Sequence, residues 1–501
     1  MTVSGVGSVS ATMLQSILDL RSQLDNLQQQ LGTGQKSDTY AGLGLDSGLT
    51  VSLNAQLSAL SSFSDTANTV NTRISIAGTA LDQMASFGSD VQGALTPNTY
   101  DPDNNGQTTA QKTALADLGS FLGLLNTQVG NRYIFSGQAT DQPPVDSMDH
   151  ILNGNGTLAG LNQVISERNQ ADLGSDGLGR LAITAPSSTS VALSETAGAA
   201  ASPFGLKLTG VNSNLTGATV TGPAGSPPGI TVDLGTTNPS ASDNITYQFA
   251  LPDGTNDSIT LTATTASPAG PNQFTIGATP GDTATNLNAA LTASIKTLGQ
   301  TSLSAASAVA ASNNFFDDPP QRVNNTGSPA SATALVDGSA TTVAWYTGGN
   351  TTGSVRSTAT AKIDQSTTVS YGTQANEQGI RTVLQNIATA AAVTYSPSDV
   401  NGEARSAALN TRLNANLSPP SSVQSIQDIE TDLATAQTSI QAATTRQQQT
   451  SNTLTDLLQQ VSTVPQEQVG AELLAVQTQL QASLETTAML SKISLINYLP
   501  A

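Results

Sequence analysis

One histidine, His150, and no cysteine occur among the 501 residues of this chain. Those two counts exclude a zinc site built on an HExxH helix, and they exclude thiol and thiolate–metal chemistry. His150 lies in the polar run DSMDHILNGNG, 146–156, where a surface loop is the expected setting rather than a Ser–His–Asp relay. The run DPDNNG, 101–106, opens like an EF-hand loop, with Asp101, Asp103, Asn105 and Gly106 in ligand and turn positions. Its twelfth position is Lys112, an ammonium where calcium needs a bidentate carboxylate, so the stretch reads as a solvated turn. Asn-X-Ser/Thr triplets begin at Asn155, Asn214, Asn244, Asn256, Asn324 and Asn350, but a chain rich in these residues makes such triplets by chance. The reading is a protein that is not an enzyme, with no cofactor and no metal. Asp- or Glu-based hydrolysis stays open as a remote third class.

With no chemistry to position, the strong patterns are those of the elements themselves. Apolar residues at Met13, Ile17, Leu20, Leu24, Leu27 and Leu31 are spaced 4, 3, 4, 3 and 4, the signature of a coiled-coil seam. A second seam runs from Leu57 through Leu60, Ser64, Ala67, Val70, Ile74, Ala77, Leu81, Met84, Gly88 and Val91 to Leu95, where Pro97 stops it. A third helix carries Leu115, Leu118, Leu122, Leu125 and Val129. Towards the other end, Ile426, Ile429, Leu433, Ala436, Ile440, Ala443, Gln447, Thr450, Leu454, Leu457, Val461 and Val464 keep the alternation up to Pro465. The last seam is Val469, Leu473, Val476, Leu480 and Leu484, followed less regularly by Ile493 and Leu499. A lone helix of the first seam's length is marginal in water, so that seam needs a partner, and the last seam is its expected mate.

The middle, roughly 140–420, turns to Thr, Ser, Gly and Pro with short alternating runs. ITYQFALPDGTNDSITLTA, 245–263, reads as two strands about a turn at Asp253 and Gly254. DTATNLNAALTASIKTLG, 282–299, reads as a helix with Asp282 as N-cap and Gly299 just past its end. Another amphipathic helix is expected over about 376–392, through Ile380, Val383, Leu384 and Ile387.

The formal charge is −19, with 17 basic residues scattered along the chain, which offers no surface to nucleic acid or to an anionic membrane. The start, MTVSGVGSVSATML, lacks the basic and apolar regions of a secretory signal, and no apolar run approaches the roughly 18 residues that span a bilayer. The expectation is a cytoplasmic protein or one exported without a cleaved signal.

The chain resembles the bacterial flagellin family. LGTGQKSDTYAGLGLDSGLTVSLNAQL, 31–57, is similar to the family's junction between first and second helices, and GNRYIFSGQATDQPPV, 130–145, to the point where the helical part gives way to the outer domain. Within the family, NRYIFSGQATDQPPV, the stretch VAWYTGGNTTGSVRSTATAKIDQSTTVSYGTQANEQGIRTVLQNIA (343–388) and the ending LSKISLINYL (490–499) resemble hook–filament junction proteins, the third hook-associated proteins, with filament flagellins as the near alternative. Residues 244–315 resemble a strand-rich motif inserted in many flagellins and hook proteins. A secreted coiled-coil adhesin is the distant alternative.

The fold expected is a mainly α rod of long coiled-coil helices from both termini, with a central α+β, β-rich outer domain inserted. Its expected parts are a terminal polymerisation domain (1–31 with 467–501), a helical rod domain (32–135 with 421–466) and an outer domain (136–420) of one or two subdomains. The expected polymerisation interface is Ile17, Leu20, Leu24, Leu27, Leu31, Leu473, Val476, Leu480, Leu484, Ile493 and Leu499. The resemblance implies an extracellular flagellar location. It also implies self-association into a helical or ring assembly, with hook-associated proteins, flagellin and an export chaperone as further partners, and no nucleic acid or membrane insertion.

Overall fold

The computed structural model describes residues 4–96, 100–196, 198, 202–324 and 327–496; within the terminal helices, side chains are described from residue 11 to 490 and at 492. In chain order the helices are α1 (Ser4–Thr33), α2 (Ser47–Leu95), α3 (Thr109–Leu125), α4 (Met148–Asn153), α5 (Leu161–Leu173), α6 (Pro280–Leu298), α7 (Ser304–Phe316), α8 (Gln378–Ala392), α9 (Gly402–Asn416), α10 (Ile426–Ser462) and α11 (Gln466–Ile496). Long helices at both ends flank a strand-containing middle, as the periodicity predicts. Contacts divide the chain into two compact units, one of residues 1–71, 361–369 and 437–501 and one of residues 72–360 and 370–436.

The first unit is built on α1, the head of α2, the tail of α10 and α11. On α2, Leu53, Ala67 and Val70 are buried, and on α10 Ile440, Ala443, Gln447 and Leu454. Gln437 Nε2 donates to Asn71 Oδ1 at 3.1 Å between the same two helices. After Gln447 the inward positions are Ser451, Leu454, Leu458 and Val461, whereas Thr450 and Leu457 face solvent, contrary to the strict alternation expected. The cause is geometric: a straight α-helix drifts about 20° per heptad against a 3.5-residue repeat, and two consecutive four-residue steps restore the seam. Leu458→Ala is therefore expected to cost about 1–2 kcal/mol and Leu457→Ala less than about 0.5, read from urea midpoints. The polar Gln447 is tolerated in the seam because an excursion of the chain at 361–369 meets it: Gln447 Nε2 donates to the carbonyl of Ile363, and Arg446 pairs with Asp364 at 3.2 Å.

In the second unit the remainder of α2 buries Ile74, Ala77, Leu81, Met84, Val91 and Leu95, and the head of α10 buries Ile426, Ile429, Leu433 and Ala436. α3 packs on α8, and α7 lies against α5, α8 and α9. Ten of the thirteen residues of α7 are buried, because its Ala and Ser side chains let neighbours approach from several sides.

The strands are β1 (Gln128–Val129), β2 (Arg132–Tyr133), β3 (Leu181–Thr184), β4 (Ser190–Glu195), β5 (Lys207–Ser213), β6 (Thr219–Ala224), β7 (Gly229–Asp233), β8 (Asn244–Ala250), β9 (Asn256–Thr264) and β10 (Gln273–Thr275), with short pairs beyond. Two four-stranded sheets form, ordered β3-β4-β7-β6 and β10-β9-β8-β5. The β8–β9 hairpin pairs Asn244 with Thr262 and Ala250 with Asn256 around the expected turn, where Gly254 has a φ of 84°. Tyr247, Phe249, Phe274 and the Leu287, Leu291, Ile295 face of α6 share one core. The cap of α6 differs from expectation. Thr279 is the N-cap and Asp282 completes a capping box three residues on, a placement that also satisfies the N-cap backbone N–H. Gly299 does not end the helical path; it is right-handed helical and leads through a π-helical turn into α7. The position is tight, since a Cβ would sit 3.0 Å from Leu173 Cδ2 and 3.2 Å from the Gly177 carbonyl oxygen.

A pair of carboxyl groups lies in the second unit, with Glu430 of α10 close to Asp82 of α2. Burial and then the Asp82 charge push the Glu430 carboxyl up to about 7 from an ordinary 4.5. Between those values the folded chain keeps a proton that the unfolded chain has released, so stability falls as pH rises through that window. Glu430→Gln is expected to flatten the dependence of the urea midpoint on pH. The gain at neutral pH is at most about 1–2 kcal/mol, because the pair is part-exposed and screened.

Candidate functional site

The residues with apparent chemistry are occupied otherwise. His150 lies in the first turn of α4, not in a loop; its Nδ1 is 3.0 Å from Asp146 Oδ1. Ser147 is the N-cap of that helix, its hydroxyl accepting from the backbone N–H of His150, so the three side chains do not form a relay. In the EF-hand-like run, Asp103 accepts from the backbone N–H groups of Asn105 and Gln107 at 2.8 and 3.0 Å, and Lys112 Nζ is 2.8 Å from its other oxygen. The Lys112 hydrogen bond, with those of the backbone, holds the Asp103 carboxyl below its usual range. The ammonium stands where the cation of a true loop would be neutralised. No cluster of metal-ligating side chains occurs among the described residues.

The terminal helices are the region where sequence and structure converge. α1 and α11 are 30 and 31 residues long, or about 45 Å each. They run antiparallel: Val464 N donates to Gly34 O at 3.1 Å at one end, and Thr487 Oγ1 is 3.9 Å from Met13 Sδ at the other. Between these points Leu27, Val469 and Val476 form a buried cluster, with Leu20, Leu24, Val464 and Leu473 packed on it. Ile17 and Leu480 are half-buried in the same seam.

Two expected seam residues turn outward. Leu31 is 38% exposed, and the inward place beside it goes to Gln30, whose Nε2 donates to Lys36 O at 2.9 Å where the chain leaves α1. Leu484 is 50% exposed because the seven-residue alternation is kept without interruption through Leu473, Val476, Leu480, Ser483 and Thr487. The side chain of Ile493 and the whole of Leu499 lie outside the described residues.

Pairing leaves much apolar surface uncovered. Of fourteen exposed large apolar side chains among the described residues, twelve belong to the first unit: Leu14, Leu18, Leu31, Tyr40, Leu45, Leu49, Val51, Leu457, Leu474, Leu484, Met489 and Leu490. Leu45, beside the kink at Gly44 in the 3-10 turn Tyr40–Asp46, is fully exposed. Leu14 and Leu18 are four apart and share one face of α1. They follow Met13 and Ile17 directly in sequence. That doubling is the signal that a seam reading passes over, since it marks an apolar arc wider than one partner covers. A concentration of this kind is uncommon on a surface that faces only water.

Residues 7–140 match the family model of the bacterial flagellin N-terminal helical region. The match runs from α1 through α3 and the β1–β2 hairpin, and it supports membership of the bacterial flagellin family. No curated protein matches the chain.

Proposed function

We infer, from a chain headed by a flagellin N-terminal region, that this protein is a structural subunit of the bacterial flagellum, and within it a hook–filament junction subunit. One observation carries the reading: the apolar side chains that the fold leaves bare are gathered in the unit made from both ends of the chain. Ile17, Leu20, Leu24, Leu27, Leu473, Val476 and Leu480 zip the two ends together within one copy. Leu14, Leu18, Leu31, Leu474, Leu484, Met489 and Leu490 face the helices of neighbouring copies. Burying each such side chain contributes about 1.5–3 kcal/mol, which a single copy cannot collect. Folding of the ends and polymerisation are thus coupled, and the ends gain full order only in the lattice.

The family implies export to the flagellum, and no helix among the described residues is long and apolar enough to cross a membrane. Hook-associated proteins and flagellin are the neighbours proposed on either side, and an export chaperone the partner before secretion.

Amide exchange on the monomer and on the assembled protein tests the mechanism. Weak protection of 4–33 and 466–496 in the monomer and strong protection after assembly are expected; equal strong protection in both would reject it. Tagged protein imaged on sheared flagella tests the location. A short ring at the hook tip is expected, whereas labelling along the filament would assign the chain to the filament itself.

A further inference from the structure

The second unit holds a cavity of about 390 Å³ between α2, the β1–β2 hairpin and the segments at 358–360 and 371–373. Two arginines line it, Arg73 and Arg132. Neither forms an ion pair among the described residues, although seven of the chain's other nine arginines do. Arg73 Nη1 donates to the Tyr371 hydroxyl at 3.4 Å, and its Nε is buried with no acceptor. Two guanidinium groups without carboxylate partners at one cavity offer an incoming anion charge-assisted hydrogen bonds from their remaining N–H groups. The remaining wall includes Ile74 and Ile134. With Tyr133, Gln138, Thr140, Thr360 and Thr373 also on the wall, the lining is mixed and suits a side-chain carboxylate on its short stem.

We propose that this cavity receives the carboxylate of an Asp or Glu side chain from a second copy of this chain. The chain carries 36 acidic residues against 17 basic ones, so each copy in a lattice offers carboxylates in excess to its neighbour. Like-charged copies with a net −19 repel one another, and a paired guanidinium site is where that repulsion reverses sign and fixes register. The contact rests on the assembly reading above and adds to it a second, polar interface outside the terminal helices.

Arg132 is exposed, so its substitution leaves the fold intact. Arg132→Glu is expected to raise the concentration needed for seeded assembly about tenfold or more, with Arg132→Lys close to wild type. Assembled Arg132→Lys protein, mixed from light and heavy isotope-labelled copies and treated with a carbodiimide, is expected to yield an amide joining position 132 of one copy to an acidic residue of another. Arg132→Glu assembling at the wild-type concentration would overturn the contact and leave the assembly reading standing, as would the absence of any light–heavy linkage at position 132. Saturable binding of acetate to the monomer at submillimolar concentration, seen at the Arg73 Nε–H resonance, would make a soluble anion the occupant and overturn it too. Wild-type protein that does not assemble under any seeding would remove the assembly reading itself.

Discussion

A chain lacking residues 1–31 and 467–501 is expected to stay monomeric at any concentration reached in sedimentation. The melting temperature of its second unit should remain within about 2 °C of the full chain's. The deletion removes Leu27, Val469 and Val476 from the core of the first unit, together with seven of the twelve apolar side chains that unit exposes. The second unit keeps its own interior, with Leu81, Met84, Phe121, Phe249 and Phe315 among its largest fully buried side chains. The effect on assembly is expected to be all or nothing, since under the proposed mechanism each bare leucine is covered only when a neighbour's helices are also in place. A trimmed chain that still polymerises would place the interface elsewhere and end the coupled-folding mechanism.

The second large effect is expected inside the second unit. Asp172 of α5 is wholly buried, and its carboxylate accepts from Arg168 Nε and Gly205 N, each at 2.9 Å. Arg168 in turn donates to Pro203 O at 2.9 Å, and its guanidinium lies 5.0 Å from the centre of the Phe204 ring. Burial pushes the Asp172 carboxyl up, and Arg168 is the largest influence holding it down. Arg168→Leu removes that influence and leaves the buried carboxylate with the Gly205 N–H, the Ser307 side chain and the Arg180 charge, at an expected cost of about 3–5 kcal/mol, because breaking a buried pair leaves a charge poorly compensated.

The sign with pH follows from the same cause. Without the arginine, the folded state holds a proton on Asp172 well above the unfolded carboxyl's range, so the variant's deficit is largest at neutral pH and shrinks on acidification. Urea unfolding followed through Trp345, the single tryptophan and a buried residue of this unit, checks both the size and the direction. A variant within about 1 kcal/mol of wild type at pH 7 would mean that water or rearrangement satisfies Asp172.

Spacing made the long helices legible, because large apolar side chains at steps of 3 and 4 line up on one face of a helix and scatter over both faces of a strand. The same logic misjudged single positions where the helix had a choice. α10 takes an extra four-residue step after Gln447 and brings in Leu458, while α11 takes none after Leu480 and brings in Ser483 rather than Leu484. Identity favours leucine at both places; supercoil geometry decides. α7 went unseen for the opposite reason. SAASAVAASNNFF has few large side chains and no stripe, yet its small residues let it be buried nearly all round, a state that periodicity cannot signal. The excursion at 361–369 was equally silent, since its closure on α10 depends on Gln447 meeting the Ile363 carbonyl, two residues far apart in sequence. As for the pairing of α1 with α11, its inner seam could be written down in advance, whereas the outward turn of Leu31 and Leu484 could not, because which leucines remain bare depends on which others pair.

The turn ahead of α3 has one more implication. By seating Lys112 against Asp103, the chain supplies its own counter-ion where calcium-binding loops borrow one from the medium. Chelators and hard water alike should leave its shape untouched, a useful indifference for any polypeptide working where salts are not regulated.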